Sequence, residues 1–186
     1  DTPYELVMNA AARGIKILAV TDHDVIPPKT AKIPGNGELD IVGFAKSQGV
    51  ALIQGIEFSS ETTVQDVHIV GLGCDWEGDI MAQEANEIAQ SKAQAYIETV
   101  KRLNERGYPM DMEEILNLGG KRIDILELQK KRIFDMMALK GYTPDWKSAK
   151  LFVRDDPYLS VEREKPSGAH IIDAIHKAGG IAILAH

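Results

Sequence analysis

Short apolar runs that end in or near a potential metal ligand are the feature that most constrains this chain. The runs ILAV, ALIQGI, HIVGLG and IAILA have the length and continuity of buried β-strands. They carry His23, Glu57, His68 and His186, in that order. If the runs are parallel strands of one sheet or barrel, these side chains converge at its carboxyl edge, where such folds place their chemistry. Three imidazoles and a carboxylate suit Zn, Mn or Fe, so the pattern indicates a metal-dependent hydrolase.

Length, charge and cysteine content exclude several classes of protein. The 186 residues, 44% of them apolar, suffice for one globular domain or a domain with an insertion. A net charge of −7 argues against a duplex nucleic-acid partner, although metal ions can supply the positive charge that binds a nucleotide. The single cysteine, Cys74, excludes an intrachain disulfide and predicts a buried, small apolar residue in a reducing compartment. Because no run approaches the ~20 apolar residues of a membrane span, we expect a cytoplasmic protein without a membrane partner.

The first third of the chain alternates predicted helices and strands. Thr2 and Pro3 are a helix N-cap and first turn, and the short apolar runs that follow have the character of strands. The second and third strands are close in sequence, which also allows a hairpin instead of a crossover. The predicted elements are a helix from Pro3 that stops at Gly14, a strand over Ile15 to Val20, a loop from Val25 to Gly37, a helix over Leu39 to Gly49, and strands over Val50 to Ile53 and Asp66 to Gly73.

From Asp79 the pattern changes to helix for roughly ninety residues. A run of helices inside an alternating pattern indicates an inserted subdomain, such as a cap over the carboxyl edge. The predicted helices span Ile80 to Arg106, Ile123 to Lys140 and Asp145 to Val153, and a helix over Ser167 to Ala178 and a strand over Ile181 to Ala185 then restore the alternation. We therefore predict an α/β protein with barrel parts at 1–78 and 166–186 and a helical insertion at 79–165.

The motifs TPYELV, ILAVTDHD, ALIQGIEFS, HIVGLG and AGGIAILAH, in this order, resemble the polymerase and histidinol phosphatase (PHP) family of phosphoesterases. The resemblance is closest to the branch that acts on small nucleotides and carries a helical insertion before the last of these motifs. Each motif alone is weakly specific, but five in the right order are strongly specific.

The resemblance implies a distorted (β/α)₇ barrel, here incomplete, with two or three divalent ions (Mn, Zn, Fe or Mg) at the carboxyl ends of its strands. By motif, His23, Glu57, His68 and His186 would be metal ligands, and Glu57 would bridge two ions. Asp22 and Asp24 would orient those ligands. The implied reaction is attack by metal-activated water on phosphate esters of nucleotides or small phosphorylated metabolites, with no protein nucleophile.

The chain departs from the family at both ends. A His-x-His pair expected before Thr2 and a late Asp-x-His pair expected after His186 are absent from the sequence. We therefore expect a chain truncated at both ends, with weak metal binding, little activity alone and exposed sheet edges.

The insertion contains three candidate phosphate-binding residues. Close relatives carry an Arg-x-His step where this chain has Lys131 and Arg132, and Arg122 competes with them for the same role. The alternative is that all three belong to solvated helix faces. We take His170 and His176 to be structural or exposed, and Trp76, Trp146 and the methionines of DMM to be packing residues.

Two other functions stay open from the sequence. One is a degenerate PHP module that binds metal or a partner without catalysis. The other is a phosphatase of the histidinol-phosphate type, although the helical insertion and the spacing of the LAH motif argue against it.

Overall fold

The chain has a mixed α/β fold in a computed structural model that describes residues 1–35, 37–61 and 67–185. It divides into two compact units, which we call the sheet unit (Asp1–Ala85 and Lys165–His186) and the helical unit (Asn86–Glu164). The described strands are β1 (Ile17–Val20), β2 (Thr30–Ile33), β3 (Gly37–Asp40), β4 (Ala51–Ser59), β5 (His68–Leu72) and β6 (Ile181–Ala185). The described helices are α1 (Pro3–Ala12), α2 (Ile41–Ser47), α3 (Asp79–Glu105), α4 (Met112–Leu116), α5 (Lys130–Leu139), α6 (Trp146–Asp155) and α7 (Gly168–Lys177).

Four strands form one open sheet in the order β1-β4-β5-β6. β1 runs parallel to β4, whereas β5 is antiparallel to both β4 and β6. The expectation that all ligand-bearing strands are parallel is therefore wrong for β5, and the hairpin alternative is confirmed. The few residues between β4 and β5 explain this, because a parallel crossover needs a dozen residues or more. Asp66, the first residue of the third predicted strand, lies outside the described residues.

Reversal of β5 still brings its ligand to the predicted edge. His68 is the first residue of β5, and the amino end of an antiparallel strand lies beside the carboxyl end of its neighbour. Over the ranges that the structure describes, the sheet is not closed into a barrel.

A hairpin occupies much of the segment that the sequence predicted as a loop. β2 pairs with β3 in antiparallel register, from Thr30 opposite Asp40 to Ile33 opposite Gly37. Ala31 is fully buried, which gives this short ribbon a contact with the core. Asp40 then ends β3 and caps α2, because its carboxylate accepts a hydrogen bond from the backbone N–H of Gly43 at 2.6 Å. The cap explains why α2 begins at Ile41 and not at Leu39.

Local sequence also fixes the start of α1. The Thr2 hydroxyl accepts from the backbone N–H of Glu5 at 3.2 Å, and the Glu5 carboxylate accepts from the N–H of Thr2 at 2.8 Å. This reciprocal capping box satisfies two amide donors that a helix otherwise leaves without partners.

The helices of the sheet unit pack on its strands, with α1 against β2, α2 against β4, and α7 against β5 and β6. Trp76 is buried as predicted, and its indole N–H donates to the carbonyl of Gly55 at 3.0 Å. Cys74 is also fully buried, as predicted. The exposed apolar residues Ile17, Ile181 and Leu184 lie on β1 and β6, the outer strands of the described sheet, so the expectation of a continuously buried β1 is wrong. The core residues of this unit include Val7, Ala10, Val20, Ala31, Ile41, Phe44, Ala45, Val50 and Trp76.

The helical unit has a separate core. Met136 and Met137 of the DMM sequence are buried in it, and Trp146 packs against it, as predicted. The predicted helix from Ile123 begins only at Lys130, because Asp124 caps a short 3₁₀ turn at Ile125–Glu127. The buried residues of this core are Val100, Leu103, Met110, Ile115, Leu116, Leu128, Ile133, Phe134, Met136, Met137, Ala149, Val153 and Leu159. Within the described part of the chain, no helix is long and apolar enough to cross a membrane.

Candidate metal centre

Three of the four predicted ligands lie together at one edge of the sheet. The Oε1 atom of Glu57 is 3.3 Å from Nε2 of His23 and 3.1 Å from Nδ1 of His68. The two imidazole rings meet edge to face, with their centroids 4.4 Å apart. His186, the fourth predicted ligand, lies outside the described residues.

Strand pairing continues past the end of β1 and brings His23 to Glu57. In β1, Val20 lies opposite Gln54, and the same offset puts His23 opposite Glu57 in an isolated parallel bridge. The bridge is made by the N–H of Asp24, which donates to the carbonyl of Glu57 at 2.8 Å, and by the N–H of Glu57, which donates to the carbonyl of Asp22 at 3.1 Å. The TDHD segment therefore keeps the register of a parallel strand.

The antiparallel ladder between β4 and β5 brings His68 to the same carboxylate. His68 is the direct partner of Ser59, and Glu57 lies two residues before Ser59. Alternate residues of a strand share a face, so Glu57 and His68 are diagonal neighbours on one face of the sheet.

The spacing of these donor atoms fits a metal ion. One ligand atom from each of the three residues lies within 4.8 Å of the other two. Two donors bound at about 2.0–2.1 Å to one tetrahedral ion are about 3.4 Å apart, close to the separations from Glu57 to each histidine. The side chain of His23 is 50% exposed, against 20% for Glu57 and 15% for His68, so the cluster is open to solvent on the His23 side.

The two aspartates that flank His23 differ sharply. Asp22 is exposed, and its described contact with the site is through its backbone carbonyl. Asp24 is buried, and its carboxylate accepts from both the N–H and the hydroxyl of Ser59, each at 2.8 Å. Its Oδ2 atom is 3.9 Å from Nδ1 of His23, too far for a hydrogen bond.

Ser59 is the residue at this site that the sequence analysis missed. It is only 6% exposed, which is unusual for a serine. The available signal was its position two residues after Glu57 in GIEFSS, because that spacing puts both side chains on one face of a strand.

The three candidate phosphate-binding residues each have partners within the helical unit. Arg132 donates to the carbonyls of Ile115, Leu116 and Leu118 at the end of α4. The Lys131 ammonium is 2.8 Å from the carboxylate of Asp135, and Arg122 pairs with Glu113 at 3.1 Å.

Two other predicted structural residues have identified environments. His170 pairs with the buried Glu84, with Nε2 of the ring 2.8 Å from Oε1 of the carboxylate. Burial raises the pKa of the Cys74 thiol, which disfavours the thiolate and agrees with a packing role for this residue.

Sequence comparison finds relatives among enzymes that cleave phosphate esters. The chain is 29% identical over its whole length to a 5'-3' exoribonuclease of Haemophilus influenzae, and it spans 63% of that protein. It is 26% identical, again over its whole length, to a phosphoribosyl 1,2-cyclic phosphate 1,2-diphosphodiesterase of Eggerthella lenta, of which it spans 68%. Over 74 residues, or 40% of the chain and 23% of the relative, it is 36% identical to a 3',5'-nucleoside bisphosphate phosphatase of Chromobacterium violaceum. The chain is therefore similar over its whole length to enzymes named for hydrolysis of phosphate esters, in line with the resemblance of its motifs.

Two solved structures share the fold. One is an amidohydrolase from Chromobacterium violaceum, solved with bound sulfate and no metal. The alignment covers the whole of this chain and 61% of the amidohydrolase chain, with a TM-score of 0.72 and 23% identity. A protein of Bifidobacterium adolescentis described as a metal-dependent phosphoesterase covers the whole chain and 62% of its own, with a TM-score of 0.71 and 20% identity. No family model matches the chain.

Proposed function

We propose that this chain belongs to a metal-dependent phosphoesterase that hydrolyses phosphate esters of nucleotides or small phosphorylated metabolites. The observation that carries the proposal is the cluster of His23, Glu57 and His68, whose donor atoms have the spacing that a metal ion requires. The names of the relatives support a phosphate ester as the substrate class.

The residues of the cluster divide the work of holding divalent ions. The imidazoles of His23 and His68 provide neutral nitrogen donors, and the carboxylate of Glu57 provides negative charge between them. We assign His186 as a further ligand and Glu57 as the bridge if a second ion binds. A bound divalent ion supplies a Lewis acid that polarises water and neutralises charge on phosphoryl oxygens.

Charge explains why such ions are needed. The chain carries a net charge of −7, so its overall field repels an anionic phosphate. The open side of the cluster, at His23, is the side on which we place the substrate phosphate. We retain Lys131, Arg132 and Arg122 as candidates for a secondary contact, with Arg122 and Lys131 the more exposed of the three.

The test is phosphate-ester hydrolysis by the whole protein on a substrate panel, measured as inorganic phosphate from monoesters and as chromatographically separated products from cyclic phosphates and RNA. The panel contains mononucleotides, nucleoside bisphosphates, cyclic phosphates, histidinol phosphate and single-stranded RNA with a 5' phosphate, which the exoribonuclease relatives make a necessary member. We expect turnover that a chelator abolishes and that added Mn²⁺ restores. Absence of turnover on every substrate by metal-loaded protein contradicts the proposal, and preference for histidinol phosphate favours the phosphatase alternative.

A further inference from the structure

We propose that Ser59 is a positioning residue for the metal centre and that it acts through Asp24. The inference rests on the proposed function in one respect, namely that the cluster of His23, Glu57 and His68 binds metal. The hydroxyl and the backbone N–H of Ser59 both donate to the carboxylate of Asp24, and the role we assign to Ser59 is to fix that carboxylate.

Ser59 grips Asp24 with two hydrogen bonds. Its N–H donates to Oδ1 and its hydroxyl donates to Oδ2, both at 2.8 Å. Two donors on the two oxygens of one carboxylate fix its orientation as well as its distance. Both residues are buried, with Ser59 and Asp24 each 6% exposed, so water competes little for these bonds.

Ser59 has a direct link to each of the three described segments that carry a proposed ligand. Its side chain lies on the same face of β4 as that of Glu57, two residues earlier. Its backbone is the ladder partner of His68 on β5. Asp24, which it holds, directly follows His23.

The backbone of Asp24 shows why a grip is needed there. Asp24 has φ of +54°, the one positive value found among non-glycine residues over 1–35, 37–61 and 67–185. Aspartate adopts this left-handed conformation more readily than most residues, but it still needs local hydrogen bonds to stabilise it. The two hydrogen bonds from Ser59, together with the bond from the N–H of Asp24 to the carbonyl of Glu57, stabilise this conformation.

The consequence falls on His23. Its side chain is half exposed, so packing alone fixes it poorly, and its position depends on the backbone on either side. A held Asp24 keeps His23 in parallel register with Glu57 and its Nε2 atom 3.3 Å from the carboxylate. Loss of the hydrogen bonds from Ser59 is expected to let the TDHD segment relax and to move Nε2 of His23 away from the Glu57 carboxylate.

The chain offers a closely matched control for the test. Ser60 is the next residue and is 4% exposed, and its hydroxyl donates to the carbonyl of Val67 at 3.0 Å. Ser59→Ala and Ser60→Ala therefore each remove one buried hydroxyl with one hydrogen bond, but only the first removes a bond to Asp24. In the whole protein, we would measure Mn²⁺ affinity by calorimetry and the stability of the metal-free form by urea unfolding.

We expect both variants to lose similar stability in the metal-free form. Only Ser59→Ala is expected to weaken Mn²⁺ binding, by about 10–100-fold, the usual cost of removing a group that orients a metal ligand. Ser59→Thr, which keeps the hydroxyl, is expected to recover most of the affinity. Equal Mn²⁺ affinity in Ser59→Ala and Ser60→Ala overturns the inference, because two serines with purely structural roles would affect metal binding to the same extent.

A second variant keeps the inference testable if Ser59→Ala does not fold. Asp24→Asn preserves size and tolerates positive φ, but its amide nitrogen cannot accept the second bond from Ser59. We expect weaker Mn²⁺ binding, and unchanged affinity in this variant also overturns the inference.

Failure of the inference is distinguishable from failure of the proposed function. Binding of Mn²⁺ that depends on Ser59, without phosphoesterase activity, contradicts the function and supports the inference. Activity with metal binding that is indifferent to Ser59 contradicts the inference alone, and absence of Mn²⁺ binding by the unaltered protein contradicts both.

Discussion

Glu57 is the residue on which the proposed metal centre most depends, because of its carboxylate. It lies within 3.3 Å of both imidazoles, so its charge offsets that of an ion and also orients both rings. Glu57→Gln preserves size but removes this charge. We expect the Mn²⁺ affinity, measured by calorimetry, to fall by more than about 100-fold. That is the largest usual effect of losing a group that only orients a ligand.

Glu61→Gln is the control for that substitution. Glu61 is exposed two residues beyond β4, and its described hydrogen bond to Pro166 is made by the backbone, which the substitution leaves intact. Affinity is expected to stay within twofold, roughly, of the unaltered value, as for most surface changes. A similar loss in both glutamate variants would mean that general negative charge, and not the position of Glu57, attracts the ion.

Residue spacing predicted part of this site and not the rest. His23, Glu57 and His68 stand out because titratable residues are rare next to buried strands. Ser59 and the positive φ of Asp24 could not be recognised in the same way, since both follow from a contact between residues 35 positions apart. Serine and aspartate are also common in turns, so TDHD and FSS have an ordinary local explanation.

At the scale of elements, β4 and β5 approach each other closely at two glycines. A Cβ atom at Gly55 would lie 2.7 Å from the carbonyl oxygen of Gly71 and 2.8 Å from the methyl group of Thr21. The carbonyl belongs to the paired strand and cannot move alone. Gly55→Ala is therefore expected to destabilise the protein by about 1–3 kcal/mol, the usual cost of overpacking, in urea unfolding.

A glycine whose close neighbour is a side chain is the control. At Gly43 in α2, the nearest atom to an added Cβ is the capping oxygen of Asp40 at 3.1 Å, which must move by a few tenths of an ångström. Alanine in a helix is favoured over glycine by roughly 0.5–1 kcal/mol, which offsets the strained cap, so Gly43→Ala is expected to change stability much less than Gly55→Ala. Unchanged stability in Gly55→Ala would show that the spacing of β4 and β5 relaxes easily.

The capping box of α1 predicts a pH dependence. The backbone N–H and the hydroxyl of Thr2 lower the pKa of Glu5, in that order of effect. A carboxylate whose pKa is lower in the folded state stabilises the fold above its unfolded pKa, and this contribution disappears as the pH falls through the folded pKa. Urea unfolding should therefore show a destabilised Glu5→Ala near neutral pH and a smaller difference from the unaltered protein in acid.

Thr2→Ala tests the other half of the box. Loss of an N-cap hydroxyl costs about 1 kcal/mol, and this cost is expected near neutral pH. If the difference between Glu5→Ala and the unaltered protein stays constant from neutral to acidic pH, the Glu5 carboxylate is not part of a cap in solution.

Elements were predictable where local signals agree and not where a distant partner decides. β6 begins where the sequence predicted, because the glycine pair at 179–180 precedes its apolar run. The β2–β3 hairpin was missed because the TAKI segment is short and has a weak hydrophobic pattern. The position of this hairpin depends on burial of Ala31 in the core, a contact that local sequence does not show. The direction of β5 follows from the short connection to β4, and for that reason the sequence already allowed the hairpin as an alternative to a crossover.

At the scale of the whole molecule, the two units have separate cores and different relations to the proposed function. All three described ligands belong to the sheet unit. The buried residues of the core in the helical unit run from Val100 to Leu159. Metal binding and the stability of the helical unit are therefore expected to respond to different perturbations.

Amide hydrogen exchange with and without Mn²⁺ tests this separation. A ligand that binds only the folded state stabilises it by about 2.7 kcal/mol at 100 times its Kd, and the gain appears in every opening that breaks the site. The amides expected to gain protection are those of Asp24, Glu57 and Ser59, because their hydrogen bonds tie the ligand segments together. Amides in the core of the helical unit should exchange at the same rate with and without the ion, unless they exchange only by global unfolding. Protection confined to the helical unit would place the ion there and contradict the assignment of His23, Glu57 and His68.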